Sequence, residues 1–275
     1  MTVDRDEGDV TAPDRDARHE GPVDTHPPAY ARAVAGTWRQ LAAPQHEPGP
    51  FASVPTDGLP APVRRWLARA VPAGASTSST AVVAMSGRIR VGAWRPFEAR
   101  QVIAAGTGYV WAAVARFGRL PVLGYDRYSD GTGEMRWRLA GVVPVVTARG
   151  SDVGRSAAGR LAGEIVLNPG AALSPSVRWE PVDDAHALAQ VTVDGVEHVV
   201  TIEVDAVGTV RSARVPRWGD PDGTGFAVHD FVARCTGDRM LGGYRVPARV
   251  VAGWDLDAPG AEPFIELEVD AATFR

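Results

Sequence analysis

Few residues in this chain are spaced for chemistry. One pair is Arg160 and Glu164, a helical turn apart on the stretch where a helical pattern interrupts a chain that otherwise reads as β. Such a pair could work with the guanidinium binding an anionic group and the carboxylate acting as acid or base. It could equally be an ion pair that fixes the helix to a sheet. A second group, Asp126, Tyr128 and Glu134, brackets a Gly131-Thr132-Gly133 turn. There the Tyr128 hydroxyl could donate to a ligand oxygen or sit as an amphipathic side chain at a sheet rim. Trp137 and Trp179 lie on strands where an aromatic ring either lines a pocket or packs in the core. The candidate ligand-binding set is therefore Tyr128, Trp137, Arg160, Glu164 and Trp179. Arg160, Glu164 and Tyr128 are the candidates for catalysis.

Histidines add little to these groups. His198 shares a strand face with Val200, Ile202 and Val204, so a buried, hydrogen-bonded imidazole is expected. His229 and Asp230 are adjacent, but catalytic pairs are assembled across space rather than along the chain. Asp220-Pro221-Asp222-Gly223 lacks the later ligands of a calcium loop and reads as a turn. Gly154-Arg155-Ser156-Ala157-Ala158-Gly159 misses the nucleophile-elbow spacing by one residue. No dinucleotide, zinc-protease or paired-cysteine motif occurs.

Composition closes further routes. All 29 basic residues are arginine, which removes the P-loop lysine, a Schiff-base lysine and any lysine base. The single cysteine, Cys235, forbids an internal disulfide and a multi-cysteine zinc site. A formal net charge of -4 gives no nucleic-acid footprint. No apolar window approaches the roughly 18 residues of a membrane span. The acidic start, Met1 to Glu7, has no apolar run of the secretory kind, so a cytoplasmic protein is expected. Neither a cofactor nor a metal is implied.

The elements that must position these residues follow from periodicity. Residues 1 to about 27 are too polar to offset their ordering entropy and read as disordered. A helix through Tyr30, Val34, Trp38 and Leu41 ends near Pro44, and a linker runs from Pro44 to Pro55. Val63, Trp66, Leu67 and Ala70 form the apolar stripe of a helix that opens at Pro62 and closes at Pro72, with arginines on its other face. It reads as a cap on the sheet, or as a partner-docking helix. From Ser79 onward the period becomes two. Tyr109 to Ala115 is apolar on both faces and should be a central strand. Val142 to Thr147, around Pro144, should be an edge or a bend. A helix is predicted over about 152–167, with Asp152 as N-cap, stopped by Asn168-Pro169-Gly170. Asp194-Gly195 marks a two-residue hairpin, and a bulge is expected at Ser86-Gly87.

About eleven short strands with hairpin-like links make the chain mainly β (α+β). The expected form is a large curved antiparallel sheet or half-barrel, with N-terminal capping helices and one inserted helix. Residues 1–55 read as an N-terminal extension, and 56–275 as one half-barrel domain.

An ordered set of weak motifs carries a resemblance. It runs Leu59-Pro60-x-Pro62-Val63 with Trp66-Leu67, then Gly87-Arg88-Ile89-Arg90, Phe97-x-Ala99-x-Gln101, Asp126-x-Tyr128 and Gly131-x-Gly133. Arg160, Glu164 and Pro169 follow, then Val177-x-Trp179-Glu180 and Gly243-Tyr244-x-Val246-Pro247. This pattern resembles an uncharacterised bacterial family, a domain of unknown function. Its β-rich run is similar to the half-barrel of LolA-type lipoprotein carriers, which hold acyl chains between a curved sheet and helices. The resemblance implies a hydrophobic small molecule or acyl chain bound in the concave face. A cofactor-free isomerase, cyclase or lyase using the same cavity is the alternative.

Overall fold

The computed structural model describes residues 22–44, 49–51 and 56–275. Three α-helices, α1 (Ala35–Ala42), α2 (Ala61–Ala70) and α3 (Ser151–Gly163), accompany a single antiparallel sheet. Its strands are β1 (Thr80–Val91), β2 (Ala93–Ala104), β3 (Gly108–Phe117), β4 (Leu120–Ser129), β5 (Thr132–Leu139), β6 (Val143–Arg149) and β7 (Val177–Pro181). They continue as β8 (His186–Val193), β9 (Val196–Val204), β10 (Val210–Gly219), β11 (Ala227–Leu241), β12 (Tyr244–Trp254) and β13 (Ile265–Phe274). The order is β6-β5-β4-β3-β2-β1-β13-β12-β11-β10-β9-β8-β7. The chain thus lays down one arm by hairpins, crosses through α3, lays down the other arm, and closes the centre with β13 against β1.

This sheet curls. α3 packs mainly on β5 and β10, strands that stand eight places apart in the order. Laid flat they would be roughly 38 Å apart at about 4.8 Å per strand, several times a helix diameter. A direct bond also joins the two arms: Tyr128 Oη on β4 donates to Asp194 Oδ2 in the β8–β9 hairpin, at 2.6 Å.

Where α1 packs, on β1, β2 and β3, both faces of the sheet are apolar and covered. The concave core gathers Val83, Met85, Ile103, Trp111, Val200 and Ile202 with Trp66 and Leu67 of α2 and Leu161 of α3. The convex core sets Val34, Trp38 and Leu41 against Val82, Val102, Val110 and Tyr125. β3, apolar on both faces, lies inside the sheet between β2 and β4. Its convex apolar surface is taken up by α1, so it is not available to line a cavity. The basic face of α2 is also engaged: Arg69 pairs with Asp238, and Arg65 donates to the carbonyls of Asp184 and Asp205.

Several expectations need correction. Asp152 does not cap α3, since Gly150 precedes the helix with no side-chain cap, and Asp152 instead accepts a bond from Trp218 Nε1 at 2.8 Å. No bulge falls at Ser86-Gly87: the register shift in the β1–β13 pairing lies opposite Ala84 and Met85, where β13 carries the extra residue, Asp270. α3 ends at Gly163, and two 3-10 turns, Glu164–Leu167 and Pro169–Leu173, flank Asn168. The edge expected around Pro144 does stand: Val143–Arg149 is the edge strand β6, with a register shift opposite Trp137 and Arg138 where Pro144 cannot donate. Of the segment read as disordered, residues 1–21 lie outside the described residues. Residues 22–27 pack: Val23 is buried and Thr25 accepts from Trp38 Nε1 at 2.8 Å. The linker read over 44–55 falls largely on residues outside the described set.

Trp38 is fully buried at the centre of the convex core. Trp38→Ala removes that filling and the bond to Thr25, and is expected to lower unfolding free energy by about 3–5 kcal/mol. Urea denaturation followed by circular dichroism checks this.

Candidate functional site

The concave face holds the residues whose arrangement could serve a function. α3 is rich in small residues, among them Gly154, Ala157, Ala158, Gly159 and Gly163, so it lies close to the sheet. From its last turn Arg160 reaches into the concavity. Its Nε donates to Glu164 Oε1 at 2.8 Å, and its Nη1 to Asp126 Oδ2 on β4 at 3.2 Å. The guanidinium carbon stands 4.7 Å from the Tyr109 ring centre and 5.3 Å from that of Trp111. The other carboxylate oxygens are also used. Trp137 Nε1 donates to Asp126 Oδ1 at 2.9 Å, and Gln101 Nε2 to Glu164 Oε2 at 2.5 Å. Trp137 can reach because Gly124 leaves room: a Cβ there would stand 2.6 Å from the indole.

Electrostatics follow from this enclosure. Burial opposes the charge on Arg160, but Glu164, Tyr109 and Asp126 outweigh it and hold the guanidinium well above its ordinary pKa. Burial raises the Asp126 pKa, and Arg160 and Trp137 offset only part of that. Burial likewise pushes Tyr109 up to about 12 and Cys235 up to about 12, which leaves that thiol inert. With all four oxygens of Asp126 and Glu164 engaged, this cluster anchors α3 to β4.

The structure brings Arg160, Glu164 and Trp137 together and leaves two other candidates apart. Tyr128 shares the concave face, but its hydroxyl is committed to Asp194, and burial, then that bond, raises its pKa. Trp179 packs edge-on to Trp66 at 6.1 Å and donates to the Ala172 carbonyl at 2.7 Å. Glu134 points to the opposite face, where Tyr125, Arg127 and Arg149 hold it. His198 lies on the concave face beside Gly159. Its Nε2 is buried without a partner, contrary to the hydrogen-bonded histidine expected. Burial, and then Arg155, lower its pKa. His229 pairs with Asp255 at 2.9 Å, not with its neighbour Asp230.

Arg217 is the residue that sequence reading missed. It projects from β10 on the same face as Val215, its stem 3.1 Å from where a Cβ on Gly159 would stand. Its Nε donates to the Ser156 carbonyl at 2.9 Å. The guanidinium carbon lies 5.0 Å from the Phe231 ring centre and 4.8 Å from that of Trp254. Burial lowers its pKa to about 10. The available signal is the alternation of Ala213 and Val215 on one strand face, and Pro216 masks its continuation to Arg217.

Beyond α3 the concave floor remains apolar and partly open. Ile89, Ile265, Ala252 and Ala233 form one transverse row across β1, β13, β12 and β11, and Leu267 and Val250 belong to the next. Ile89, Ile265, Leu267, Phe231 and Ala233 are each only half-buried. The convex side of these strands is a ladder of ion pairs: Arg88–Glu266, Arg249–Glu268, Arg214–Asp230 and Arg234–Asp257. A separate cleft of about 330 Å³ lies beside Tyr30, Leu123, Tyr125 and Arg136. No group of three or more metal-ligating side chains converges among the described residues, and none of their helices is long and apolar enough to cross a membrane.

Comparison with known proteins gives a family. The model of a family of unknown function, DUF6544, matches residues 51–267. No curated protein matches the sequence. Among solved structures, a LolA superfamily protein from Nitrosomonas europaea is 12% identical, with 78% of this chain and 92% of that chain covered and a TM-score of 0.38. A DUF1329 family protein from Desulfovibrio piger is 11% identical, with 72% and 86% covered and a TM-score of 0.38.

Arg160→Met would strand Asp126 and Glu164 as buried carboxylates, and is expected to cost about 3–5 kcal/mol of stability. Adding Glu164→Gln to that variant should recover part of the loss. Chemical denaturation of the two single variants and the double variant measures this coupling.

Proposed function

We propose a function from the geometry, because the chain belongs to a family of unknown function, DUF6544: the protein binds an apolar small molecule or acyl chain along the concave face of its sheet. One observation carries the reading. On the central strands the half-exposed face is the apolar one, Ile89, Ile265, Leu267, Phe231 and Ala233, while the opposite face is laced with ion pairs. A sheet face that meets only water is expected to be polar. Contiguous exposed apolar surface on a soluble fold marks a place where something apolar binds.

Position supports the same reading. α3 packs mainly on the two arms, β5 and β10, rather than on the centre, and Arg160 anchors it to Asp126 on β4. The ligand would lie above that anchor, along the row from Ile89 to Ala233. Of the five residues read from sequence as ligand-binding, Arg160, Glu164 and Trp137 then shape the inner wall. Tyr128 and Trp179 support it from farther away. Binding is favoured over acid–base chemistry because every oxygen of Asp126 and Glu164 already accepts a bond within the anchor.

Decanol titrated into the protein by calorimetry tests this. Saturable binding is expected, and Ala233→Trp, which fills the floor, should weaken it about tenfold or more, roughly 1.4 kcal/mol, while leaving the melting temperature close to that of wild type. Absence of saturable binding, or equal affinity in the filled variant, contradicts the reading.

A further inference from the structure

We propose that the ligand carries an anionic head, a carboxylate at the end of its apolar chain, and that Arg217 receives it. This rests on the concave-face reading above and adds the chemical class of the ligand. The argument begins with how the arginines are partnered. On the convex side of the central strands Arg88, Arg90, Arg214, Arg234 and Arg249 each pair with a carboxylate. On the concave side Arg160 uses both Asp126 and Glu164. Arg95, over the Phe117 ring, and Arg217 form no ion pair with any described residue, and of the two only Arg217 has its head held by a side-chain bond, from Nε to the Ser156 carbonyl, with no described partner for its two terminal nitrogens.

That arrangement is costly unless something completes it. A cation taken from water with no carboxylate in direct contact loses hydration that two ring faces and the more distant charges of Glu164 and Asp126 return only in part. The rings of Phe231 and Trp254 hold the guanidinium without neutralising it, and Phe231 is itself part of the apolar floor. The glycine at 159 gives the Arg217 stem its passage beneath α3. Because Nε is tied to the helix backbone, the orientation of the planar head is set before any ligand arrives. A planar fork with free terminal donors matches a carboxylate. The nearest apolar surface, Phe231 and then Ala233, is where the chain of such a molecule would continue.

Calorimetric titration with decanoate and with decanol, on wild type and on Arg217→Gln, tests the proposal. Wild type is expected to bind decanoate at least tenfold more tightly than decanol. Arg217→Gln is expected to lose that preference and keep its decanol affinity. Equal wild-type affinities, or a preference that survives in Arg217→Gln, overturn the anionic head while the apolar-ligand reading stands. Failure of both ligands to bind wild type overturns both. Should Arg217→Gln not fold, the carboxyl ¹³C shift of labelled decanoate on wild type decides the matter. The bound carboxyl should stay ionised to lower pH than the free acid, and titration at or above the free value overturns the assignment.

Discussion

The guanidinium of Arg160 reaches from α3 into the concavity and is held there by Asp126 from β4 and by Glu164 one turn along its own chain. Much of the architecture depends on that contact. It fixes α3 against one arm of the sheet, while Gly159 and Gly163 let the same helix lie close to Arg217 and Val215 on the other arm. With the helix held at both sides, thirteen strands curl instead of splaying. Buried charges contribute little net stability when paired, but a misplaced register would leave them unpaired and costly. We infer that the cluster specifies where α3 docks more than it adds to stability.

Around this anchor the two faces of the sheet are treated differently. Where α1 lies, the convex face is apolar and buried; over β1, β11, β12 and β13 it turns to ion pairs. The concave face stays mostly apolar, including the portion that α3 does not cover, with Gln101, Asp126, Arg217 and Arg95, opposite Ile89, as its polar members. The same strands therefore supply a solvated exterior and an apolar floor, beside which Arg217 stands with no ion-pair partner among the described residues. These features support a binding role in which shape and one charge do the selecting.

Much of the fold was legible because period-two patterning is local. The central strand through Tyr109 to Ala115, the Asp194-Gly195 hairpin and the stripe Val63, Trp66, Leu67 and Ala70 all stand as their patterns imply. What sequence could not supply was pairing across distance. Asp126 and Arg160 meet because a helix lies over a curled sheet, and neither spacing nor composition encodes that meeting. Gln101 and Trp137, which complete the cluster, come from strands that alternation identifies but does not aim. Arg217 escaped because Pro216 interrupts the apparent strand after Val215, although β10 continues to Gly219. The double-faced apolar pattern of Tyr109 to Ala115 marked a central strand but not what covers each face, and its convex side proves to be the seat of α1.

The central claim is that an apolar ligand occupies the concave floor rather than the cleft beside Tyr30 and Tyr125 or the convex core. Methyl-resolved NMR of the protein during addition of a medium-chain alkyl ligand tests it most directly. The account predicts progressive shifts at the methyls of Ile89, Ile265 and Leu267, with Val82 and Val102 on the convex side unmoved. Shifts confined to Leu123 and its neighbours, or no shift at the concave methyls, would contradict it.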